Sequence, residues 1–258
     1  MDAKYYPQIF KRKSFHLFRN TGNVSLTEAE LDGIYEAWKG FEPLCPEIRT
    51  AIRIVPAAKI NFKRDAEYCV LIYSEAKDNY LMNAGYMGQQ LDLYMVSQNI
   101  GSLWYGIGRP DMPEYDGLTY AIMFAVRKVP DDTMFRKALD KTKRKDLSRT
   151  WEGEIIPAAD VARHSPSACN SQPWFVKNTG EKLEVYRTRP AKVGIMSVKN
   201  AVYFNRIDIG IYLCILEICL AHDGVRFERQ IFVDRPEPLL DLSKVAEYTL
   251  VSRPSTSV

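Results

Sequence analysis

Residues 12–16, near the N-terminus, combine cations with a hydroxyl group. The segment is Arg12-Lys13-Ser14-Phe15-His16, and guanidinium, ammonium and hydroxyl donors together suit a phosphate monoester. Taken alone, this composition is more typical of a solvated basic run ahead of a helix. A surface cation in such a run contributes little to folding, so little is expected of Arg12 in that respect.

Residues 165–174 form a second polar segment, Ser-Pro-Ser-Ala-Cys-Asn-Ser-Gln-Pro-Trp. A predicted helix ends in this proline-braced loop, which is dense in hydroxyl and amide groups and enters a strand at Trp174. Such groups can form hydrogen bonds with the polar edge of a heteroaromatic ligand. An ordinary polar turn has a similar composition, but the length and order of this segment are specific.

A third segment, residues 99–106, contains Gly101 and Gly106 around Ser102-Leu103-Trp104. Glycine allows the backbone to approach a ligand closely. The alternative is a plain helix end at Gly101 with Trp104 in the core. The segment therefore indicates a ligand site only in combination with others.

Secondary-structure patterns in the first half predict elements that could carry these segments. Ser25-Leu26-Thr27-Glu28 resembles a capping box, and it predicts a helix over 27–40. The apolar runs 69–73 and 119–126 are typical of buried strands. Residues 88–101 have apolar positions at helical spacing and end at a glycine, so they predict a second helix followed by a glycine-rich turn over 102–108.

The second half has similar patterns. They predict helices over 154–164 and 207–221, a hairpin of 174–177 with 182–186, and strands at 225–229 and 248–251. The highly charged stretch 137–149 lacks apolar periodicity and predicts a solvated connection. Because each half has one glycine-bounded buried helix followed by strands, we infer a weak duplication of about 120 residues with a boundary near Arg149. Coincidence is the alternative.

Composition excludes several classes of protein. The chain has 258 residues, 46% of them hydrophobic, and its net charge is +3, which does not favour nucleic acid as a partner. No apolar run is long enough for a membrane span, and the N-terminus lacks the pattern of a secretory signal. The five cysteines form no CxxC pair, so no metal site or disulfide framework is predicted and a reducing cytoplasm fits.

Together the three polar segments resemble one family, the FMN-dependent nitroreductase superfamily. Residues 165–174 match its S-P-S-x-x-N-x-Q-P-W signature, 12–16 its R-x-S-x-R/K phosphate motif, and 100–104 its L-G-S-x-W loop. In ordinary members the serine-proline loop follows soon after the phosphate motif, whereas here it comes about 150 residues later. This order resembles the subgroup in which two nitroreductase-like repeats are fused in one chain.

The resemblance implies an α+β fold of mixed or antiparallel sheets flanked by helices. The two repeats, residues 1–148 and 149–258, would form an intramolecular pseudo-dimer with FMN between them. The implied flavin contacts of the first repeat are Arg12, Lys13, Ser14, His16, Gly101 and Ser102, the last two through their backbone. Those of the second repeat are Ser165, Pro166, Ser167 and Asn170. Lys143 and Lys145 lie in a basic segment that resembles further phosphate contacts of the family.

The resemblance also implies an FMN-dependent oxidoreductase, a nitroreductase or quinone reductase. NAD(P)H would deliver hydride to the flavin, and a nitroaromatic or quinone would then accept it in a ping-pong cycle. The flavin carries this chemistry, so no catalytic side chain is predicted. The expected protein is cytoplasmic, binds neither nucleic acid nor membranes, and is a monomeric pseudo-dimer, with further dimerisation left open.

Two departures from the family pattern leave an alternative function open. His16 occupies a position that is usually Arg or Lys, and it is only partly charged near neutral pH, so phosphate affinity would fall as pH rises. No second phosphate motif introduces the second repeat, where Arg149-Thr150-Trp151 is a poor substitute, and this predicts at most one FMN per chain. The alternative is a protein that holds FMN without turning over NAD(P)H.

Overall fold

The protein has an α+β fold in which two five-stranded sheets enclose two long buried helices. The computed structural model describes residues 3–60, 64–139 and 142–251. The first sheet is built wholly before residue 149 and the second wholly after it. No helix among the described residues is both long and apolar enough to cross a membrane.

The first sheet is entirely antiparallel. Its strands are β1 (Thr50–Pro56), β2 (Tyr68–Ser74), β3 (Ile100–Trp104), β4 (Glu114–Tyr115) and β5 (Leu118–Lys128). The order across the sheet is β1-β2-β5-β3, with the short β4 paired to the start of β5. The helices of this half are α1 (Tyr6–Lys11), α2 (Glu28–Lys39) and α3 (Tyr80–Ser97), with short 3-10 turns at Ala3–Tyr5, Ala57–Ile60 and Asp132–Met134.

The second sheet has the order β6-β7-β8-β10-β9 and is antiparallel except for its β6–β7 edge. Its strands are β6 (Trp151–Glu152), β7 (Trp174–Asn178), β8 (Lys182–Thr188), β9 (Arg226–Ile231) and β10 (Leu242–Val251). The helices are α4 (Pro157–Ala162) and α5 (Val198–His222), and 3-10 turns occur at Leu147–Arg149 and Ala168–Asn170.

Helices α3 and α5 cross at very short distance, and glycine makes this possible. A Cβ at Gly85 would overlap the carbonyl oxygen of Ile207, and a Cβ at Gly210 would overlap that of Met82. Each glycine thus contacts the residue three positions before the other glycine. Helix α3 is buried along almost its whole length and α5 from Ile207 to Leu220, so the crossing lies in the core.

The predicted buried strands and the hairpin β7–β8 are confirmed, but several helix boundaries are wrong. Helix α3 begins at Tyr80 rather than Gly88, because Gly88 is not a helix boundary but a place where the ring of Trp104 packs against the helix. The capping box is Thr27 with Glu30, not Ser25 with Glu28. The predicted helix over 154–164 is shorter, Pro157–Ala162.

Two further predictions from local sequence are wrong because the segments contact distant parts of the chain. Residues 100–104, predicted to end a helix and enter a glycine-rich turn, form β3 because they pair antiparallel with residues 124–128 of β5, from Ile100 opposite Lys128 to Trp104 opposite Phe124. The charged stretch 137–149 is not merely solvated. Arg144 and Lys145 in it are half-buried against the 165–174 loop, with which both form hydrogen bonds.

Candidate functional site

Two adjoining clefts lie where the first and second halves of the chain meet. The apolar cleft, about 390 Å³, is walled by Trp104–Ile107 and by residues of α5. The cationic cleft, about 550 Å³, is walled by basic side chains of residues 12–16 and by Arg136, Lys143 and Arg144. The two share five lining residues: Ser14, His16, Pro166, Ser167 and Cys169. They therefore form one continuous depression with a charged end and an apolar end.

Strand pairing places the N-terminal basic segment beside β3. Ser14 bridges Ser102 in parallel register, and the Phe15 amide donates to the Ser102 carbonyl at 3.0 Å. The chain after α1 is thereby held along the edge of the first sheet. Ser14 and the exposed His16 consequently line both clefts, opposite the loop that carries Pro166 and Ser167.

Arg12 is buried rather than a surface cation, which corrects the sequence-based expectation. Its side chain is 5% exposed, and its Nε donates to Oδ2 of Asp92 on α3 at 2.6 Å. The other oxygen of Asp92 accepts from the Ser102 hydroxyl. Arg12 also donates to the Ser14 hydroxyl at 3.2 Å. Arg12 lines the cationic cleft, and it also neutralises the buried carboxylate of Asp92.

Two arginines of the cationic cleft were missed by the sequence analysis. Arg136 is half-buried, and the part of the chain that the structure describes holds no ion-pair partner for it. Burial and then the charge of Arg12 lower the pKa of Arg136. Burial likewise lowers the pKa of Arg144 to about 10, with further lowering by Arg12, Arg136 and Arg163. A negative charge beside such clustered cations would favour their charged forms.

No sequence signal marked Arg136, and Arg144 was hidden between two lysines that had been preferred. Of those lysines, Lys143 lines the cationic cleft and is exposed. The ammonium of Lys145 does not reach it, because it donates to the carbonyls of Ser171 and Gln172 at 2.8 and 2.9 Å. Lys145 thus ties down the polar loop instead of facing the cleft.

The 165–174 loop is folded tightly, and only part of it faces the clefts. Pro166 and Ser167 line both, whereas the Ser165 hydroxyl donates to the Ala162 carbonyl at the end of α4 and is buried away from them. Cys169 and Asn170 adopt positive φ values of 49° and 56°. Residues other than glycine at such angles store about 1–3 kcal/mol each, so the surrounding contacts must hold this loop in place.

Asn170 connects that loop to the basic segment. Its Oδ1 accepts from Arg144 at 2.8 Å, and its Nδ2 donates to the Lys143 carbonyl at 3.0 Å. Asn170 lines the cationic cleft. Its amide therefore orients the Arg144 guanidinium at the edge of the cationic cleft.

Gly101 and Ser102 do not line either cleft, contrary to the implied backbone approach to a flavin ring. The ring of Phe15 packs on Gly101, with 3.1 Å between its Cδ2 and the position of an added Cβ. Ser102 is buried and bonded to Asp92. The residues that follow, Trp104–Ile107, line the apolar cleft instead, because β3 ends at Trp104 and the chain then turns over α5.

Helix α5 forms the floor of the apolar cleft. Ser197 caps the helix by accepting from the Asn200 amide, and Phe204, Ile207, Asp208 and Ile211 then face the cleft. Two isoleucines at the mouth, Ile107 and Ile195, are 68% and 90% exposed. The walls suit a flat apolar group better than a charged one.

One carboxyl group, that of Asp208, lies among the apolar side chains of this wall. It is 3% exposed, and its Oδ1 accepts from the Ala168 amide at 2.9 Å. Burial raises the pKa of Asp208 to about 8, although the hydrogen bonds from Ala168 and Ser171 oppose that rise. No group of residues that could hold a metal ion occurs within the described ranges.

The fold and the clefts together define a class: an α+β protein with a depression between its two halves that is cationic at one end and mainly apolar at the other. Residues 4–220 match the family described as “Putative TM nitroreductase”, and the chain belongs to this family. No curated protein matches the chain.

Solved structures give a likeness of fold. A protein from Thermotoga maritima, described as a putative nitroreductase, is 18% identical with a TM-score of 0.57, over 95% of this chain and 92% of that one. A protein from Desulfovibrio desulfuricans, described as a putative nitroreductase in complex with FMN, is 15% identical with a TM-score of 0.39, over 61% of this chain and 100% of that one. At these identities the Thermotoga likeness is one of fold alone.

Proposed function

We propose that the protein is an FMN-dependent oxidoreductase that uses NAD(P)H to reduce a nitroaromatic or quinone. The observation that carries the proposal is the continuity of the two clefts. FMN is a phosphate monoester joined by a polyhydroxyl chain to a flat tricyclic ring. The depression has cations at one end, hydroxyl groups of Ser14 and Ser167 in the middle, and apolar walls at the other.

The donor set of the cationic cleft fits the phosphate. Arg136 has no carboxylate partner among the described residues, and the Nε of Arg144 is buried without a hydrogen-bond acceptor. Guanidinium groups bind phosphate oxygens through charge-assisted hydrogen bonds, often two in parallel. We propose Arg136, Arg144, Lys13, Lys143 and the partly paired Arg12 as the phosphate-binding residues, with Asn170 orienting Arg144.

The apolar cleft would hold the ring and leave room for a second planar molecule. When bound, FMN supplies the hydride chemistry, accepting hydride from NAD(P)H and passing it on. Phe204, Ile207 and Ile211 would exclude water from one side of the cleft, and Tyr105 and Ile107 from another. Because these walls are apolar, an uncharged quinone or nitroaromatic is the acceptor class that fits.

We also propose that the chain is an intramolecular pseudo-dimer of two nitroreductase-like repeats. The reciprocal contacts of Gly85 with Ile207 and of Gly210 with Met82 support this, because a two-fold axis between the repeats would relate each contact to the other. Each half also contributes one sheet and one long buried helix. On this proposal the protein works as a cytoplasmic monomer, and one ligand site is shared by both halves.

Anaerobic titration tests the proposed function. Apo protein should bind FMN with quenching of flavin fluorescence, NADH or NADPH should bleach the bound flavin, and menadione or a neutral nitroaromatic should restore its colour. FMN binding without bleaching by either nucleotide would favour the alternative, a flavin-binding protein without NAD(P)H turnover. Absence of FMN binding would overturn the assignment altogether.

A matched comparison shows whether the cationic cleft holds the phosphate. Riboflavin has the same ring and sugar chain as FMN without the phosphate, so the wild-type protein should bind it more weakly. Arg136→Ala should lose this preference for FMN, and Arg189→Ala is its control, because Arg189 is exposed, forms a surface ion pair with Asp241 and lines neither cleft. Equal affinity for FMN and riboflavin would contradict the phosphate assignment.

A further inference from the structure

Asp208 is a buried carboxyl group with no cation beside it. Among the described residues, none of the ion pairs includes Asp208, although it is 3% exposed. A buried carboxylate that is unpaired carries a large desolvation cost, and the usual response is to keep its proton. The same tendency is visible in the raised pKa of this group, for which burial is the largest cause.

The hydrogen-bond geometry around Ser171 also indicates that Asp208 keeps its proton. The Ser171 Oγ lies 3.3 Å from Oδ1 of Asn205 and 3.3 Å from Oδ2 of Asp208. A hydroxyl group has one proton, so it can donate to only one of these two oxygens. If Asp208 is ionised, one of the two contacts has no proton.

A neutral Asp208 would supply a proton for each of these contacts. Its Oδ2–H would donate to Ser171 Oγ, the Ser171 hydroxyl would donate to Asn205 Oδ1, and Asp208 Oδ1 would still accept from the Ala168 amide. The chain of hydrogen bonds fixes both ends of the 3-10 turn Ala168–Asn170 to α5. This turn carries the left-handed residues Cys169 and Asn170, which need such support.

We propose that Asp208 is a positioning residue that holds the Ser167–Ser171 segment on α5 as a neutral carboxylic acid, and that loss of its proton weakens flavin binding. The second part rests on the proposed function. Asp208 lines the apolar cleft, so its ionisation would put a negative charge beside FMN, which is itself an anion. It would also take the Ser171 hydroxyl proton away from Asn205.

Other titratable groups do not account for such an effect at this position. Those that line the same cleft are His16, Arg64, Tyr105 and Cys169. Charged residues on the elements packed around this part of α5 are paired with one another: Asp92 with Arg12, Asp160 with Arg163, and Arg187 and Arg206 with Asp234. None of these groups is among the causes of the raised pKa of Asp208.

The protonation state is tested first in the apo protein, without any flavin. The infrared spectrum of wild-type protein at pH 6 should contain a carboxylic acid C=O band that is absent from Asp208→Asn and disappears from wild type by pH 10. Asp32→Asn, an exposed carboxyl on α2, is the control and should retain the band. A wild-type spectrum without this band at pH 6 would overturn the proposal, whether or not the variant folds.

The effect on flavin is tested by comparing the Kd of FMN for wild type and Asp208→Asn from pH 6 to pH 10. Asparagine cannot ionise but can donate from Nδ2 and accept at Oδ1, as the neutral acid does. If only the protonated form binds well, the ratio of wild-type to variant Kd should rise about tenfold between pH 7 and pH 9, because the competent fraction falls by that factor. The ligand's own titration cancels in this ratio.

The outcomes separate this proposal from the proposed function. A ratio that stays flat with pH, while wild type binds FMN, would overturn the role of Asp208 and leave the oxidoreductase assignment intact. Failure of wild type to bind FMN at every pH would overturn the proposed function and the flavin part of this inference. The infrared band would then still decide whether Asp208 is neutral.

Discussion

At the scale of single residues, the basic side chains of the cationic cleft differ in whether they form an ion pair with a carboxylate. Arg12 forms a short ion pair with Asp92 in the core, so it stabilises the fold as well as lining the cleft. Arg136 has no such partner in the described part of the chain. Substitutions at the two positions should therefore have opposite consequences for folding and similar ones for an anionic ligand.

Arg12→Ala is expected to destabilise the protein by about 3–5 kcal/mol, because Asp92 would remain fully buried without its cation. Urea denaturation of the apo protein measures this. In the double variant Arg12→Ala/Asp92→Asn the buried charge is gone, so part of the loss should be recovered. Lys11→Ala, which removes an exposed ion pair, should change stability by less than about 0.5 kcal/mol. A similarly small effect of Arg12→Ala would contradict the buried-pair account.

Arg136→Ala is expected to weaken FMN binding by about 1.5–3 kcal/mol, the range for a hydrogen bond to a charged group. Riboflavin binding should stay unchanged, since it lacks the phosphate. The apo variant should be no less stable than wild type, because a half-buried unpaired cation has been removed. Equal weakening of FMN and riboflavin would mean that Arg136 shapes the cleft instead of binding phosphate.

At the scale of elements, α5 connects the core to the site. One side of it contacts α3 through Gly210, and another carries Phe204, Asp208 and Ile211 into the apolar cleft. The 165–174 loop is fixed to the same helix through Asp208. A change in the α3–α5 distance should consequently shift the floor of the apolar cleft.

Gly210→Ala is expected to cost at least about 1–3 kcal/mol, because its Cβ would overlap backbone atoms of α3 that cannot move independently. FMN affinity should fall with it, since the floor of the cleft shifts. Gly40→Ala is the matched control: its φ is −88° and an added Cβ meets the nearest atom at 3.6 Å, so no loss is expected. Thermal denaturation and FMN titration of both variants provide the check, and a Gly210→Ala protein as stable as Gly40→Ala would rule out the tight crossing.

At the scale of the whole molecule, the ligand site depends on both halves. Residues 12–16 and 104–107 come from the first half, and Pro166, Ser167 and the residues of α5 come from the second. Neither half alone encloses the clefts. The single basic segment of this kind in the sequence predicts a single site.

Titration of apo protein with FMN is expected to reach its end point at one equivalent per chain. The physical reason is that one basic segment, residues 12–16, and one serine-proline loop, residues 165–174, face each other across the clefts. Isothermal calorimetry measures the stoichiometry, and Arg136→Ala should reduce affinity without altering the end point. Saturation at two equivalents would contradict the pseudo-dimer with one shared site.

Asp208 should also make the stability of the whole molecule depend on pH. Its folded pKa of about 8 exceeds the ordinary value of 3.8, so the folded state keeps a proton that the unfolded state loses. This contribution is complete at low pH and is lost as pH rises from about 4 to about 8, at a rate of up to about 1.4 kcal/mol per unit. Asp208→Asn should lack this pH-dependent contribution to stability. The difference in unfolding free energy between variant and wild type should therefore grow from pH 5 to pH 7, as chemical denaturation at each pH would measure; a constant difference would exclude a raised pKa.

Local sequence was sufficient to predict those strands whose pattern does not depend on which segment they pair with. The apolar runs at 69–73 and 119–126 could be recognised as strands because any buried strand needs them, and the β7–β8 hairpin followed from two alternating segments around Asn178-Thr179-Gly180. The three polar segments were sufficient to predict the family. Glycine was the ambiguous signal, because Gly88 marks close packing rather than a helix start.

The arrangement of the site depended on contacts that no local pattern encodes. Arg12 meets Asp92 across 80 positions of sequence, and the Ala168 amide meets Asp208 across 40. Such contacts decide which cation is neutralised, which remains available to an anion and which carboxyl keeps its proton. They arise only when pairing of Ser14 with Ser102 and packing of α5 against α3 bring the segments together, because charge and burial are properties of the surroundings and not of the residue type.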